Sequence, residues 1–183
     1  MIRTLILNGS PHLNGDTSFM ITRLAEKLSG ETRIISAYNC KVAPCVDCRM
    51  CRIKPGCAID DEMQEIYGYL EQCSNVVIAS PIYFSEITGK LLDLSSRFQT
   101  FFSAKFFRNE TPLIKPKKGA VILAGGGTGD PQKSYDTSVG ILHCINVKNV
   151  FPLVCSHNTD IIPASEDKTI LPEIQKLADF LNK

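Results

Sequence analysis

Four cysteines, Cys45, Cys48, Cys51 and Cys57, fall within thirteen residues of this 183-residue chain. Their spacing is C-x2-C-x2-C-x5-C. Thiolates are soft ligands that suit zinc and iron–sulfur clusters. Two consecutive C-x2-C steps place three of them on one tight loop, as in bacterial ferredoxins, and Pro55-Gly56 provides a turn by which Cys57 closes the same site. Zinc also takes four cysteines, but usually as two pairs with a longer spacer. A redox-active dithiol or disulfide and metal-free thiols are further readings of the pattern. The remaining cysteines, Cys40, Cys73, Cys144 and Cys155, are scattered and read as small buried hydrophobes.

A second segment carries a different chemistry. The apolar run Thr4–Leu7 leads into Asn8-Gly9-Ser10-Pro11-His12-Leu13-Asn14-Gly15-Asp16-Thr17-Ser18, after which a helical pattern begins. A strand, a loop of small residues and a helix N-terminus make an anion site, because backbone N–H groups approach closely and the helix end carries partial positive charge. Ser10, Thr17 and Ser18 add hydroxyl donors. The plainer reading is a polar turn with Asp16 as helix N-cap. The loop lacks the lysine of a Walker A motif, and its glycines do not match G-x-G-x-x-G.

The elements that position these segments alternate. Strands are expected at Thr4–Leu7, Thr32–Ser36, Asn75–Ala79 and Ala120–Ala124, with an edge strand over Val147–Cys155 interrupted by Pro152. Helical spacing recurs at Met20, Leu24 and Leu28, and at Met63, Ile66, Tyr67 and Leu70. Leu91, Leu94, Phe98, Phe101 and Phe102 form one apolar stripe, Ser134–Ile145 a further helix, and Ile170–Leu181 the last. Such alternation implies a parallel sheet with helices on both faces. One domain over residues 1–183 is expected, with a long irregular loop at about 38–60. The net charge of +1 offers no bulk field for nucleic acid, and no apolar run is long enough for a membrane span. The start of the chain reads as a strand and not as a secretory leader, so a cytoplasmic protein is expected. In that compartment clustered cysteines point to metal or redox chemistry. His143 and His157 read as surface or structural residues.

Three segments resemble one family. The loop Asn8–Ser18 resembles the Gly-Ser-Pro-Arg-x-x-Gly-Asn-Thr loop of the NADPH-dependent FMN reductases. Ser80-Pro81-Ile82-Tyr83-Phe84 is similar to the family's Ser-Pro-x-Tyr wall beside the flavin, followed by a helix with basic positions at Lys90 and Arg97. Ala124-Gly125-Gly126-Gly127-Thr128-Gly129 resembles its loop after the fourth strand. His12 stands where the family usually has Arg, and Asp16 where it has Asn. The resemblance implies a flavodoxin-like three-layer α/β sandwich with a five-stranded parallel sheet of order 2-1-3-4-5. In that fold, ligands lie at the carboxyl ends of the strands. It implies FMN held by Ser10, His12, Asn14, Asp16, Thr17, Ser18, Pro81, Ile82, Tyr83, Phe84, Gly125, Gly126 and Gly127, with the chemistry carried by the flavin and NAD(P)H as substrate. Lys90 and Arg97 are taken as structural or dimer-facing.

The cysteine spacing resembles that of the family's iron–sulfur flavoprotein branch, in which a compact motif holds a 4Fe–4S cluster; Cys45, Cys48, Cys51 and Cys57 are its ligands by that resemblance. Two functions follow as expectations: an FMN-dependent NAD(P)H oxidoreductase acting on a small acceptor, or an electron carrier passing electrons to a protein partner. Relatives close the flavin edge with a neighbouring subunit, so a homodimer or homotetramer is expected, with Phe98–Phe107 supplying apolar surface.

Overall fold

The computed structural model describes residues 1–110 and 114–183. Strands β1 (Arg3–Asn8), β2 (Glu31–Ser36), β3 (Asn75–Pro81), β4 (Lys117–Ala124), β5 (Val147–Val150) and β6 (Val154–Ser156) build one sheet. Helices α1 (Asp16–Ala25), α2 (Met63–Gln72), α3 (Gly89–Ser96), α4 (Gln99–Phe106), α5 (Gln132–Cys144) and α6 (Ile170–Leu181) cover it. The sheet is parallel with order β2-β1-β3-β4-β5. This is the flavodoxin-like order expected. The single edge strand expected over Val147–Cys155 is instead two. β5 pairs with Lys117–Gly119 and β6 with Ile122–Ala124, so the sheet has six strands. Pro152 falls between them, where a residue without N–H costs no ladder bond.

Side chains of the central strands alternate between two cores. Leu5, Leu7, Val76, Ile78, Val121 and Leu123 face α2, α3 and α5. Ile6, Val77, Ala79, Ala120 and Ile122 face α1 and α6. Each strand is thus buried on both sides, which explains its unbroken apolar run. β4 begins earlier than its apolar run, at Lys117, whose buried ammonium donates to the Cys73 carbonyl at 2.7 Å.

The stripe from Leu91 to Phe102 is not one helix. It breaks at Arg97 and Phe98 into α3 and α4. At the break the amide of Arg97 donates to Leu94 and that of Phe98 to Ser95, a tightened last turn. The Arg97 side chain, fully buried, turns into the protein toward the cysteine loop, so it faces no subunit interface.

Gly9 fixes where α3 starts. Its amide donates to the Ala79 carbonyl at 2.7 Å, and its carbonyl accepts from the Thr88 hydroxyl at 2.8 Å. A Cβ there would lie 2.8 Å from Leu91 Cδ2 and 3.0 Å from both Ser80 Oγ and Thr88 Oγ1. Leu91 is fully buried, so yielding would mean repacking the core around it. Gly9→Ala is therefore expected to destabilise the domain by about 1–3 kcal/mol through overpacking, read as a lower urea midpoint at unchanged slope.

Candidate functional site

The register of the sheet brings three loops to one edge. Asn8 pairs with Ala79, Pro81 with Ala124, and Ala124 with Ser156. The loops that follow β1, β3 and β4 therefore leave side by side, at the carboxyl ends where ligands sit in such folds.

The loop after β1 is held mainly by itself. Asn8 Oδ1 accepts from the Ser10 amide at 2.8 Å, and Ser18 Oγ donates to the His12 carbonyl at 2.6 Å. The His12 amide donates to Ser10 Oγ at 3.2 Å. Two of the three expected hydroxyl donors, Ser10 and Ser18, thus brace the loop. Thr17, buried at the first turn of α1, has no side-chain hydrogen bond among the described residues. Gly15, and not Asp16, is the N-cap, with extended backbone. Asp16 instead accepts from the Ala164 amide at 2.7 Å, which ties α1 to the loop before α6. The opening amides of α1 have no preceding helical carbonyl to bond, the usual condition of a helix start. Pro11 to Gly15, including His12 and Asn14, rim a shallow hollow in the loop that precedes the helix. A doubly charged phosphate suits amides, a hydroxyl and a positive helix end.

The loop after β3 is a tight turn. Pro81 ends β3, and Ile82 donates its amide to the Ala124 carbonyl at 2.9 Å. Tyr83 and Glu86 exchange two backbone bonds around Phe84 and Ser85, whose φ values are 54° and 59°. Two consecutive left-handed residues define a primed turn, unusual without glycine. Phe84 is wholly exposed at its tip, and Tyr83 is exposed beside it. The loop after β4 is clamped from the far side. Gly125, Gly126 and Gly127 carbonyls accept from Thr159, Asp160 and Asn158. A Cβ on Gly126 would lie 2.5 Å from the Asp160 carboxylate, so any larger residue would have to displace that exposed side chain. His143 and His157 are both exposed.

The cysteine loop after β2 is a second centre. Cys45, Cys48, Cys51 and Cys57 all line one cavity of about 280 Å³, with Arg97, Ser103 and Phe107 among the other walls. The backbone there is bent: Asp47 and Arg49 have φ of 48° and 63°. Such left-handed conformations in non-glycine residues need outside support. Ser96 Oγ accepts from the Cys45 amide at 2.9 Å, and Arg108 donates to the Cys51 carbonyl. Cys51 Sγ lies 3.3 Å from Ser103 Oγ. The Arg52 guanidinium stacks 4.2 Å above the Phe107 ring centroid.

Arg97 ties the two arms of this loop together. It donates to the carbonyls of Ala43, at 2.9 Å, and Ile59, at 3.2 Å, and to both oxygens of Asp61, at 2.7 and 3.2 Å. Burial works against its charge, but Asp61 and then Cys57 outweigh that effect and the guanidinium is held protonated. Among the described residues no group of three His, Cys, Asp or Glu is placed to hold a metal ion. The thiols surround a space instead of meeting at a point. Elsewhere, burial pushes up the Cys73 and Cys144 thiols, and burial followed by Glu173 and Asp167 pushes Cys155 up to about 12. All eight cysteines are free; of the four scattered ones only Cys73 is fully buried, and Cys40, Cys144 and Cys155 are half-buried against the core.

Sequence reasoning found the cysteines but not what holds them. Ser96, Ser103 and Arg108 escaped it. The one available signal was Arg97 itself, three residues after Leu94 on an apolar stripe, where a charge demands a partner.

Fold and loops together define a doubly wound α/β protein with a phosphate-type loop at its switch edge and a thiol-lined cavity beside α3. Residues 2–158 match the model of the NADPH-dependent FMN reductase family. The chain belongs to that family, whose class is FMN-dependent NAD(P)H oxidoreductases. It is 28% identical over 188 residues to a protein of Methanosarcina thermophila named iron–sulfur flavoprotein, covering 96% of this chain and 93% of the relative. A protein of the same name from Methanocaldococcus jannaschii is 26% identical over 136 residues, covering 73% of this chain and 67% of the relative. In fold the chain is similar to an NAD(P)H:quinone oxidoreductase from Methanothermobacter marburgensis, with TM-score 0.80 and 17% identity over 100% of this chain and 96% of the other. An FMN-dependent NADH-azoreductase from Bacillus anthracis, solved with FMN, matches with TM-score 0.65 and 17% identity over the whole of both chains.

The Asp61–Arg97 pair generates a stability prediction. Burial alone would raise the Asp61 carboxyl, but Arg97 and the amides of Ala43 and Met63 hold it below its ordinary value. A depressed folded-state pKa stabilises above the unfolded value, about 3.9, and that stability is lost as pH falls through the folded one. Asp61→Asn leaves a buried cation unpaired, at a cost of about 3–5 kcal/mol. In chemical unfolding the gap to wild type should stay flat from about pH 5 to 8 and close below about pH 4.

Proposed function

We propose that this protein binds FMN with its phosphate in the loop Ser10–Ser18 and its ring against Ile82–Phe84 and Gly125–Gly127. The observation that carries this reading is the convergence of the loops after β1, β3 and β4 at one sheet edge. FMN, when bound, supplies hydride and single-electron chemistry. The chain's part is to bind and orient. The opening amides of α1 and the Thr17 hydroxyl hold the anion, and Asn8, Ser10 and Ser18 keep that loop in shape. The amides of Ile82, Tyr83 and Gly125 are engaged within the protein, so those of Phe84, Gly126 and Gly127 are the ones that would meet the ring's polar edge, with Tyr83 and Phe84 covering it. NAD(P)H is the proposed donor.

The same reading gives Cys45, Cys48, Cys51 and Cys57 to a 4Fe–4S cluster. Each thiolate of such a cluster binds a different iron, so its ligands ring a space, as the four cysteines line one cavity. Tetrahedral zinc would ask for sulfurs converging on one point. Electrons would then leave singly, which favours a protein or one-electron acceptor over direct hydride delivery to a small molecule. The exposed Phe102, Phe106 and Phe107 are the surface by which copies would pair as a homodimer or homotetramer.

Two measurements test these readings separately. Thr17→Val should weaken FMN binding by about 1–3 kcal/mol, read as flavin fluorescence quenching, with unchanged far-ultraviolet circular dichroism. Equal affinity in variant and wild type would remove Thr17 from the site. After anaerobic reconstitution the wild type should hold about four irons and four labile sulfides per chain. Cys57→Ala should lower the iron while Cys73→Ala leaves it unchanged. Stoichiometric zinc, or no iron, would leave a plain FMN reductase.

A further inference from the structure

Arg97 has one donor too many for the contacts it makes. Its terminal nitrogens satisfy Ala43, Ile59 and Asp61. Its Nε is buried and has no hydrogen-bond partner. Buried N–H groups are rarely left so, and an orphan at a functional site asks for an acceptor that is not part of the chain. The residue lines the same cavity as the four cysteines, and its side chain is fully shielded from solvent. Arg49 and Arg52 also line that cavity, against Asp47 as the one carboxylate among its walls. Three guanidinium groups thus line the cavity: Arg49 and Arg52 share Asp47, and Arg97 is fixed by a bidentate ion pair with Asp61, which leaves one positive charge in excess.

Four thiolates around a 4Fe–4S cluster give the assembly a net negative charge, and reduction adds one more. A buried cation and an N–H donor stabilise the more negative state, and hydrogen bonds to cluster sulfurs are among the features that set its potential. We infer that Arg97 is the positioning residue of this cavity, holding both arms of the cysteine loop through Ala43 and Ile59 and donating its Nε–H to a sulfur of the cluster, thereby raising its reduction potential. The inference rests on the cluster reading above. It assigns to this one side chain both the shape of the loop and the electrical setting of what the loop holds.

The test is a spectroscopic redox titration of the anaerobically reconstituted full chain, with iron measured per chain. Four proteins are compared: wild type, Arg97→Gln, Arg97→Lys and Ser96→Ala. Ser96→Ala releases the Cys45 amide without touching the cavity's charge. Arg97→Gln is expected to lower the equilibrium constant for one-electron reduction about tenfold or more, which is 59 mV per tenfold. Arg97→Lys keeps the charge without the fork and should fall between it and wild type. Ser96→Ala should keep the wild-type potential. Should Arg97→Gln hold no iron, the lysine variant carries the comparison, and a potential below wild type supports the inference. A variant potential equal to wild type, or an equal shift in Ser96→Ala, overturns it. Wild-type protein that takes up no iron removes the cluster reading and this inference together, whereas iron in the wild type with an unshifted Arg97 variant removes the inference alone.

Discussion

A guanidinium taken out of water needs acceptors for its donors to stay buried. Arg97 meets that need at its two terminal nitrogens, with two carbonyls and both oxygens of Asp61, and leaves its Nε without a partner among the described residues. The acceptors come from either arm of the cysteine loop, just before Cys45 and just after Cys57. Tyr67, from α2, donates its hydroxyl to the Arg97 carbonyl at 2.7 Å and fixes the backbone as well. One buried charge thus decides the course of nearly twenty residues that have little apolar surface of their own. It also decides the break between α3 and α4. The loop's position and the helix break are one structural fact seen from two sides.

The sheet imposes the other constraint. Parallel strands buried on both faces cannot slip by one residue without exchanging their two cores. That locks the register of β1 with β3 and of β3 with β4, and so locks the loops that leave their ends. The energetic work is divided. Apolar burial sets the edge where the loops meet, and local hydrogen bonds set the shape of each loop. The left-handed pair Phe84 and Ser85 is the clearest local cost, since neither is a glycine. Two backbone bonds between Tyr83 and Glu86 hold it, and Glu86 is in turn held by the Thr137 hydroxyl at 2.9 Å.

The parts governed by periodicity were legible in the sequence. The β1, β3 and β4 runs, the spacing of α1, α2 and α6, and the parallel sheet follow from apolar pattern and alternation, whereas the strand order came from the family resemblance. The parts governed by polar contacts over long sequence separation were not. No local pattern tells that Arg97 bonds residues 36 and 54 positions earlier, or that Asp16 leaves the helix cap to Gly15 and bonds Ala164. The stripe Leu91–Phe102 fits one helix by spacing alone, because the break is driven by a side chain's partners and not by a glycine or proline. Pro152, in contrast, announced its interruption, and the structure splits the edge strand there.

α3 joins the two centres physically. At its start Thr88 bonds the Gly9 carbonyl, in the loop after β1, and the Ser80 hydroxyl, at the end of β3 from which the second flavin loop leaves. At its end Ser96 and Arg97 bond the cysteine loop. Eight residues at 1.5 Å each make a strut of about 12 Å. Leu91 and Leu94 bury its middle in the core, so neither end can shift without repacking the other. A flexible connection would let the separation between the two loops wander. A short helix pinned at both ends by buried hydrogen bonds keeps it fixed, and a fixed separation is what two redox centres in one chain would need to exchange electrons at a defined rate.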